Sequence, residues 1–422
     1  MAEPTNRLNP ELTRRRFLQG TAFAGVAAFI AACTGGGGES APPATSSANA
    51  NIPTPPPVAS SAPPASPTPV PQVTGPLHWA QWPAYIDLTG KAGEAGAYAP
   101  GSSPTLEEFK KQYNVDVNYE EKIEANEDFF ATIQQQLVAG LPTGWDMITV
   151  TDWLAAKIIS KGWAEQVDQS AVPNCVANIR DALKNQTWDP NQDYHYPWQS
   201  GMTGIGYNKA SLKKANIPEP KSLVDLFGTP PERLTFLNEK RDTFGLGLLK
   251  LGIDPNPQTV TTDDLQKVHD DIKPLTDKGL RFTGNEYLQD FASKKTWAAM
   301  TWSGDLASSG AADDVWVAPT EGSMIWTDNM VIPKGAANKY TAELMMNFVY
   351  QPKIAAQIAN YVYYVSPVKG AADELAKLDA NAAKNPLLFP PDDIVAKQKN
   401  FQFLSDELES SMNDLYSDLS GT

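Results

Sequence analysis

Ser323-Met324-Ile325-Trp326-Thr327-Asp328-Asn329-Met330-Val331-Ile332-Pro333 is the stretch around which this 422-residue chain is organised. Apolar and β-prone residues dominate from Met324 to Ile332, and Pro333 ends the run, so the segment reads as a strand. Asp328 interrupts it, two residues after Trp326. Strand side chains alternate between faces, so Trp326 and Asp328 leave the same one. One reading makes Asp328 a solvated edge carboxylate beside a core tryptophan. The other makes the pair an aromatic wall with an anion beside it, built to hold a cation.

Toward the N-terminus, strands alternate with helices. Leu77-His78-Trp79-Ala80 reads as a first strand, with Gln81-Trp82-Pro83-Ala84-Tyr85 at its exit. Thr105 to Tyr113 reads as a helix capped by Thr105, and Val115 to Tyr119 alternates as a strand. Asn126 to Ala139 is amphipathic and stops at Gly140. Asp146 to Val150 is a short apolar strand, after which Asp152 is expected to cap a helix from Trp153 to Lys161. Such alternation predicts an α/β fold with a largely parallel sheet. Ligands sit beyond the carboxyl ends of strands in these sheets, which puts Trp82, Tyr85, Thr151 and Trp153 at one edge.

The texture changes beyond Trp188. Trp188-Asp189-Pro190-Asn191-Gln192-Asp193-Tyr194 is turn-rich and leads to Tyr196-Pro197-Trp198. Gly201 to Asn208 reads as a glycine-bearing strand whose glycines open no helix, which excludes a dinucleotide fingerprint. Ser222 to Phe227 reads as a short helix and Leu234 to Leu237 as a strand. Asn238-Glu239-Lys240-Arg241-Asp242 then opens a helix from Thr243 to Leu251. A further helix from Thr262 to Asp271, a strand from Trp297 to Trp302, a helix from Lys339 to Gln351 and another from Pro352 follow. Tyr361-Val362-Tyr363-Tyr364-Val365-Ser366-Pro367 ends that run, and the tail from about Lys397 reads as an amphipathic helix.

The chain begins with an address. Thr13-Arg14-Arg15-Arg16-Phe17-Leu18-Gln19 has the twin-arginine pattern of Arg14 and Arg15, followed by an apolar run from Phe23 to Ala32 of signal length. Ile30-Ala31-Ala32-Cys33 resembles a bacterial lipobox, so residues 1–33 are expected to be an export signal with Cys33 the acylated first residue of the mature chain. An uncleaved anchor is the alternative, and either places the remainder outside the cytoplasm on a membrane. Residues 34–75 are mostly Gly, Ser, Ala, Pro and Thr with one charge, Glu39, a composition expected to form a disordered tether. The leader holds four basic and two acidic residues, leaving 30 against 47 beyond it, a net of −17. That balance argues against nucleic acid and is compatible with attracting cations. With Cys33 acylated, Cys175 has no intramolecular partner and is expected to be a buried thiol. His78, His195 and His269 show no metal-ligand spacing, so no metal and no cofactor is expected.

Five segments resemble one family. Gln81-Trp82-Pro83-Ala84-Tyr85, Trp188 to Tyr194, Gly204-Ile205-Gly206-Tyr207-Asn208, Trp297 to Ser303 and Ile325 to Pro333 occur in order, at the spacing of bacterial periplasmic solute-binding proteins of the spermidine/putrescine type. The resemblance implies the two-lobed periplasmic-binding-protein fold (type II-like), each lobe a mainly parallel sheet flanked by helices, with the ligand cleft between. It implies chain crossovers near Met202/Thr203 and Trp326/Thr327, and a third exchange near residue 372. Lobe 1 would then be 76–202 plus 327–372, and lobe 2 203–326 plus 373–422. A monomer delivering its polyamine ligand to an ABC permease is the implied biology.

Matched residue by residue, the resemblance implies ligand contacts from Trp82 and Tyr85. Thr151 and Trp153 stand where the family has serine and tyrosine. Glu239 and Asp242 match two carboxylates with the Asp/Glu order reversed. Trp302 matches an aromatic wall, Trp326 and Asp328 the aromatic–carboxylate pair at the second crossover, and Tyr364 and Gln402 two further contacts. The glycine- and alanine-rich loop from Thr89 to Pro104 is longer than the family's usual link and lies near Trp82 and Tyr85.

The chemistry agrees with that role. A polyamine carries ammonium donors on a methylene chain, so capture needs carboxylates at the ends and flat apolar walls between. Charge-assisted hydrogen bonds contribute about 1.5–3 kcal/mol each, cation–π contacts roughly 0.5–2 and each buried methylene about 0.8. Carboxylates closed together without a cation repel and lose hydration, so the ligand favours closure. A glycosidase-like hydrolase using Glu239 and Asp328 is a different class, but the chain has no nucleophile elbow or metal motif to accompany it. A receptor for another amine, an amino-acid derivative or a sugar, or a sensor using the same site, are the remaining alternatives.

Overall fold

The computed structural model describes residues 72–89, 102–309, 311–390, 397–400 and 403–421, with no side-chain account for 307–309. Arg14, Arg15, Cys33 and Gln402 lie outside the described residues, as do nearly all of the tether and most of the 89–104 loop.

Among the described residues ten strands form one sheet: β1 (Leu77–Gln81), β2 (Val117–Glu121), β3 (Met147–Thr151), β4 (His195–Asn208), β5 (Leu234–Leu237), β6 (Arg281–Thr283), β7 (Ala298–Trp302), β8 (Asp314–Val317), β9 (Ser323–Val331) and β10 (Gln398–Lys399). Their order is β2-β1-β3-β9-β4-β7-β5-β6, with β10 paired to β9 and β8 to β4. β1, β2 and β3 are mutually parallel, as are β5, β6 and β7. The three junctions β3–β9, β9–β4 and β4–β7 are antiparallel. Three reversals make the two parallel sets run in opposite directions. Their carboxyl ends therefore converge on the middle of the sheet, where β4 and β9 pass side by side.

That meeting point is knit by three passages of chain. Ser200 on β4 pairs with Thr327 on β9, and their hydroxyls share a hydrogen bond at 2.9 Å. On its other side Ser200 exchanges both backbone hydrogen bonds with Val365, at 3.0 and 2.9 Å. The C-terminal helix (Asp406–Ser420) packs on the helices Lys240–Lys250 and Thr262–Thr276, where Lys240 bonds Asn413 at 2.9 Å and His269 bonds Asp418 at 2.8 Å.

Several element boundaries differ from the sequence reading. β4 starts at His195 rather than Gly201 and runs through Pro197. Proline cannot donate to a ladder, and the register shifts between Pro197 and Gln199, so the missing N–H falls at an irregularity. The Pro197 carbonyl is taken by the Tyr350 hydroxyl at 2.7 Å. The first helix among the described residues is Pro104–Tyr113 with Ser103 as its cap and Pro104 in the first turn, so Thr105 lies inside the helix. β2 lies two residues later than expected. The helix from Thr262 continues to Thr276 with Pro274 inside it. Asp152 begins its helix rather than capping it, and its carboxylate serves β9 instead, accepting from Thr327 N–H at 3.2 Å and Asn329 Nδ2 at 2.7 Å. The tail opens with the short β10 before its helix, and the sequence reading also missed β6 and β8. Cys175 is buried, and burial pushes its thiol pKa well up.

Candidate functional site

Four strands, two from each parallel set, deliver side chains to the convergence. Trp82 and Tyr85 follow β1, Thr151 ends β3 and Trp153 opens the helix after it, Glu239 and Asp242 follow β5, and Trp302 ends β7. β9 crosses beneath them carrying Trp326 and Asp328. Together with Tyr364 these residues line a cleft of about 680 Å³, part of it open to solvent.

The register of β3 against β9 sets Thr151 directly opposite Asp328. Directly opposed residues share a face, so the Thr151 hydroxyl reaches Asp328 Oδ1 at 2.7 Å. Asn126 orients that hydroxyl, its Nδ2 donating to Thr151 Oγ1 at 2.9 Å while its Oδ1 accepts from the Thr151 N–H at 3.1 Å. The Tyr85 hydroxyl donates to Asp328 Oδ2 at 2.7 Å. Asp328 is 4% exposed. Of the two sequence readings, the solvated edge carboxylate is therefore excluded.

The other pole is built on the first turn of the helix Lys240–Lys250. The Trp302 indole donates to Asp242 Oδ2 at 3.0 Å. Burial pushes the Asp242 pKa up to about 6, with the Trp302 hydrogen bond opposing it. Glu239 occupies the helix N-cap position with no side-chain capping bond, and its Oε1 is buried without a protein partner. Burial, then repulsion from Glu127 and Asp242, raises the Glu239 pKa well above the carboxylate range, while Arg241 works in the opposite direction. These carboxylates are costly to keep charged while the cleft is empty. A bound cation removes that cost.

Aromatic rings make the walls. Tyr364 stands edge-on to Trp326 at 5.2 Å and to Tyr85 at 5.7 Å between centroids. Two glycines make this approach geometrically possible. A Cβ on Gly201 would lie 2.3 Å from the Trp326 ring, and one on Gly304 2.4 Å from the Tyr364 ring. Asp305, fully buried, holds the Tyr364 hydroxyl at 2.9 Å and the amide of Asn285 at 2.5 Å. Trp82 is fixed by its indole N–H on the Thr149 carbonyl at 3.0 Å.

Ten of the eleven ligand contacts expected from the sequence thus share one cleft, and Gln402 lies outside the described residues. Arg241, Asn285, Met324 and Ile325 line the same space and were not singled out. Arg241, Met324 and Ile325 lay inside quoted segments, but none bears the chemistry expected of a cation site. Among the described residues no group of three His, Cys, Asp or Glu side chains could hold a metal ion.

Comparison with known proteins places this geometry. Residues 105–390 match the family described as Bacterial extracellular solute-binding protein. The spermidine/putrescine-binding periplasmic protein of Escherichia coli (strain K12) is 27% identical over 283 residues, covering 65% of this chain and 77% of that one. A putrescine-binding periplasmic protein of the same organism is 28% identical over 312 residues, covering 69% and 81%. The solved structure of a putative spermidine/putrescine ABC transporter protein from Listeria monocytogenes has a TM-score of 0.68 at 25% identity, covering 81% of this chain and 98% of that one. These neighbours are two-lobed binding proteins, and the opposed halves of the present sheet are built to the same plan. The chain belongs to the bacterial extracellular solute-binding proteins, a family of ligand carriers rather than enzymes.

Proposed function

We propose that this protein captures a polyamine of the spermidine/putrescine class in the cleft between two lobes and hands it to an ABC permease. The observation that carries this reading is the convergence of Asp328 from one side and Glu239 and Asp242 from the other on a space walled by Trp82, Trp302, Trp326 and Tyr364. Carboxylates supply acceptors to ammonium groups, and the rings cover the methylenes between them. The names of the curated relatives, binders of spermidine, putrescine and cadaverine, support the same ligand class. The lobes we propose are 76–202 plus 327–372 and 203–326 plus 373–422. The ten lining residues named from the sequence, with Gln402, are proposed as ligand contacts.

The N-terminal segment fits the same role. Arg14 and Arg15 in a twin-arginine pattern and Cys33 in a lipobox support export and lipid anchoring. The Pro-rich segment after them would lift the binding unit off the membrane toward its permease. Titration calorimetry of the purified protein with a panel of diamines and polyamines tests the assignment. Saturable heat with micromolar or tighter affinity is expected. No heat with any member of the panel would overturn it.

A further inference from the structure

We infer that Arg241 sets the length of the ligand, so that the cleft takes a short linear diamine and turns away a longer polyamine bearing a third ammonium. This rests on the polyamine reading above and concerns the end of the cleft at Trp153. The Arg241 guanidinium carbon lies 3.7 Å from the centroid of the Trp153 ring. The chain's own cation thus covers the aromatic face that a ligand ammonium would use at that end.

Arg241 is held there from behind. Its Nη1 is 3.5 Å from Glu127 and its Nη2 3.7 Å from Glu409, and Glu409 is in turn 3.3 Å from Lys157 Nζ. These partners sit on the helices Asn126–Ala139, Asp152–Ser160 and Asp406–Ser420. Swinging the guanidinium aside would break contacts to all three. Arg241 is 8% exposed and lines the cleft, where it is the one cation among the described lining residues. Asp328 at one pole and Asp242 with Glu239 at the other offer acceptors to two ammonium groups. An ammonium carried past the second pole meets a guanidinium that already covers the Trp153 ring and already engages Glu127 and Glu409, so it finds neither an open aromatic face nor an unshared acceptor there.

The test is calorimetric titration of the purified full-length protein with 1,4-diaminobutane, 1,5-diaminopentane, spermidine and spermine. The wild type is expected to bind 1,4-diaminobutane at least tenfold tighter than spermidine. Arg241→Ala should cut that ratio at least tenfold, and Arg241→Lys, which keeps the charge but not the flat stack, should cut it less. The wild-type ratio alone keeps the inference falsifiable if a variant fails to fold. Spermidine bound as tightly as the diamine by the wild type, or an unchanged ratio in Arg241→Ala, would overturn it while leaving the polyamine assignment intact. Absence of heat with all four amines would sink both.

Discussion

Tyr85 and Asp328 lie 243 positions apart, yet the Tyr85 hydroxyl meets the Asp328 carboxylate at 2.7 Å. With Thr151 on the other oxygen, the carboxylate is oriented before any ligand arrives. Asp328→Asn keeps the shape, removes the charge and sets an amide against one of these hydroxyls. Polyamine affinity is expected to fall at least about tenfold, from loss of one charge-assisted contact. Unchanged affinity in a titration would remove Asp328 from the binding site.

Asp242 gives the cleft a defined pH dependence. Its folded-state pKa is raised from 3.8 to about 6, so the empty protein holds a proton there that the unfolded chain has released. Stability from this group therefore declines as pH rises between those two values. Asp242→Asn is expected to stabilise the ligand-free protein at pH 7.5 by up to about 3 kcal/mol, an advantage that fades near pH 4. Thermal melts of both proteins across that range provide the check, and a gain that grows toward low pH would contradict it. For the wild type, a cation needs the ionised form, so amine affinity should weaken from pH 7.5 to 5.5 with proton release on binding.

Gly201→Ala tests whether the wall depends on a missing side chain. The new Cβ would overlap the Trp326 ring, and neither the strand pairing nor the Tyr364 contact leaves the indole an easy retreat. A loss of roughly 1–3 kcal/mol in stability is expected from the overpacking. Weaker amine binding and an altered tryptophan emission should accompany it. Wild-type affinity and emission together would mean that Trp326 is not held by this approach.

Cys33→Ala addresses the anchor. If Cys33 is acylated, the parent should sediment with membranes and the variant should appear in the soluble extracytoplasmic fraction. Replacing Arg14 and Arg15 by lysine should retain the precursor inside the cell. Membrane retention of the Cys33 variant would refute acylation there.

Much of the cleft was legible because its chemistry is local in the sequence. Trp82, Tyr85, Thr151 and Trp153 follow or end short apolar strands, and parallel strands bring such exits together, whereas Glu239, Asp242 and Trp302 entered only through the family resemblance. Arg241 was passed over for the opposite reason. A cation between two carboxylates reads as a helix-surface charge until Glu127, Glu409 and Trp153, all distant in sequence, are seen around it. β4 was cut short because Pro197 normally breaks a central strand, and only the register shift beside it explains the exception. Thr105 was misread as a cap because Pro104 belongs to the first turn, a signal that points to Ser103 one residue earlier.

The triple passage at Ser200 also has a mechanical side. Chains bonded edge to edge at one level, Val365 beside Ser200 beside Thr327, resist sliding past one another and resist independent twisting. What such a ribbon permits is flexing out of its plane, like a leaf spring, about an axis lying across the strands. Opening would then proceed as a one-directional bend. Trp326 and Asp328, flanking Thr327 on that spring, would sense its curvature directly.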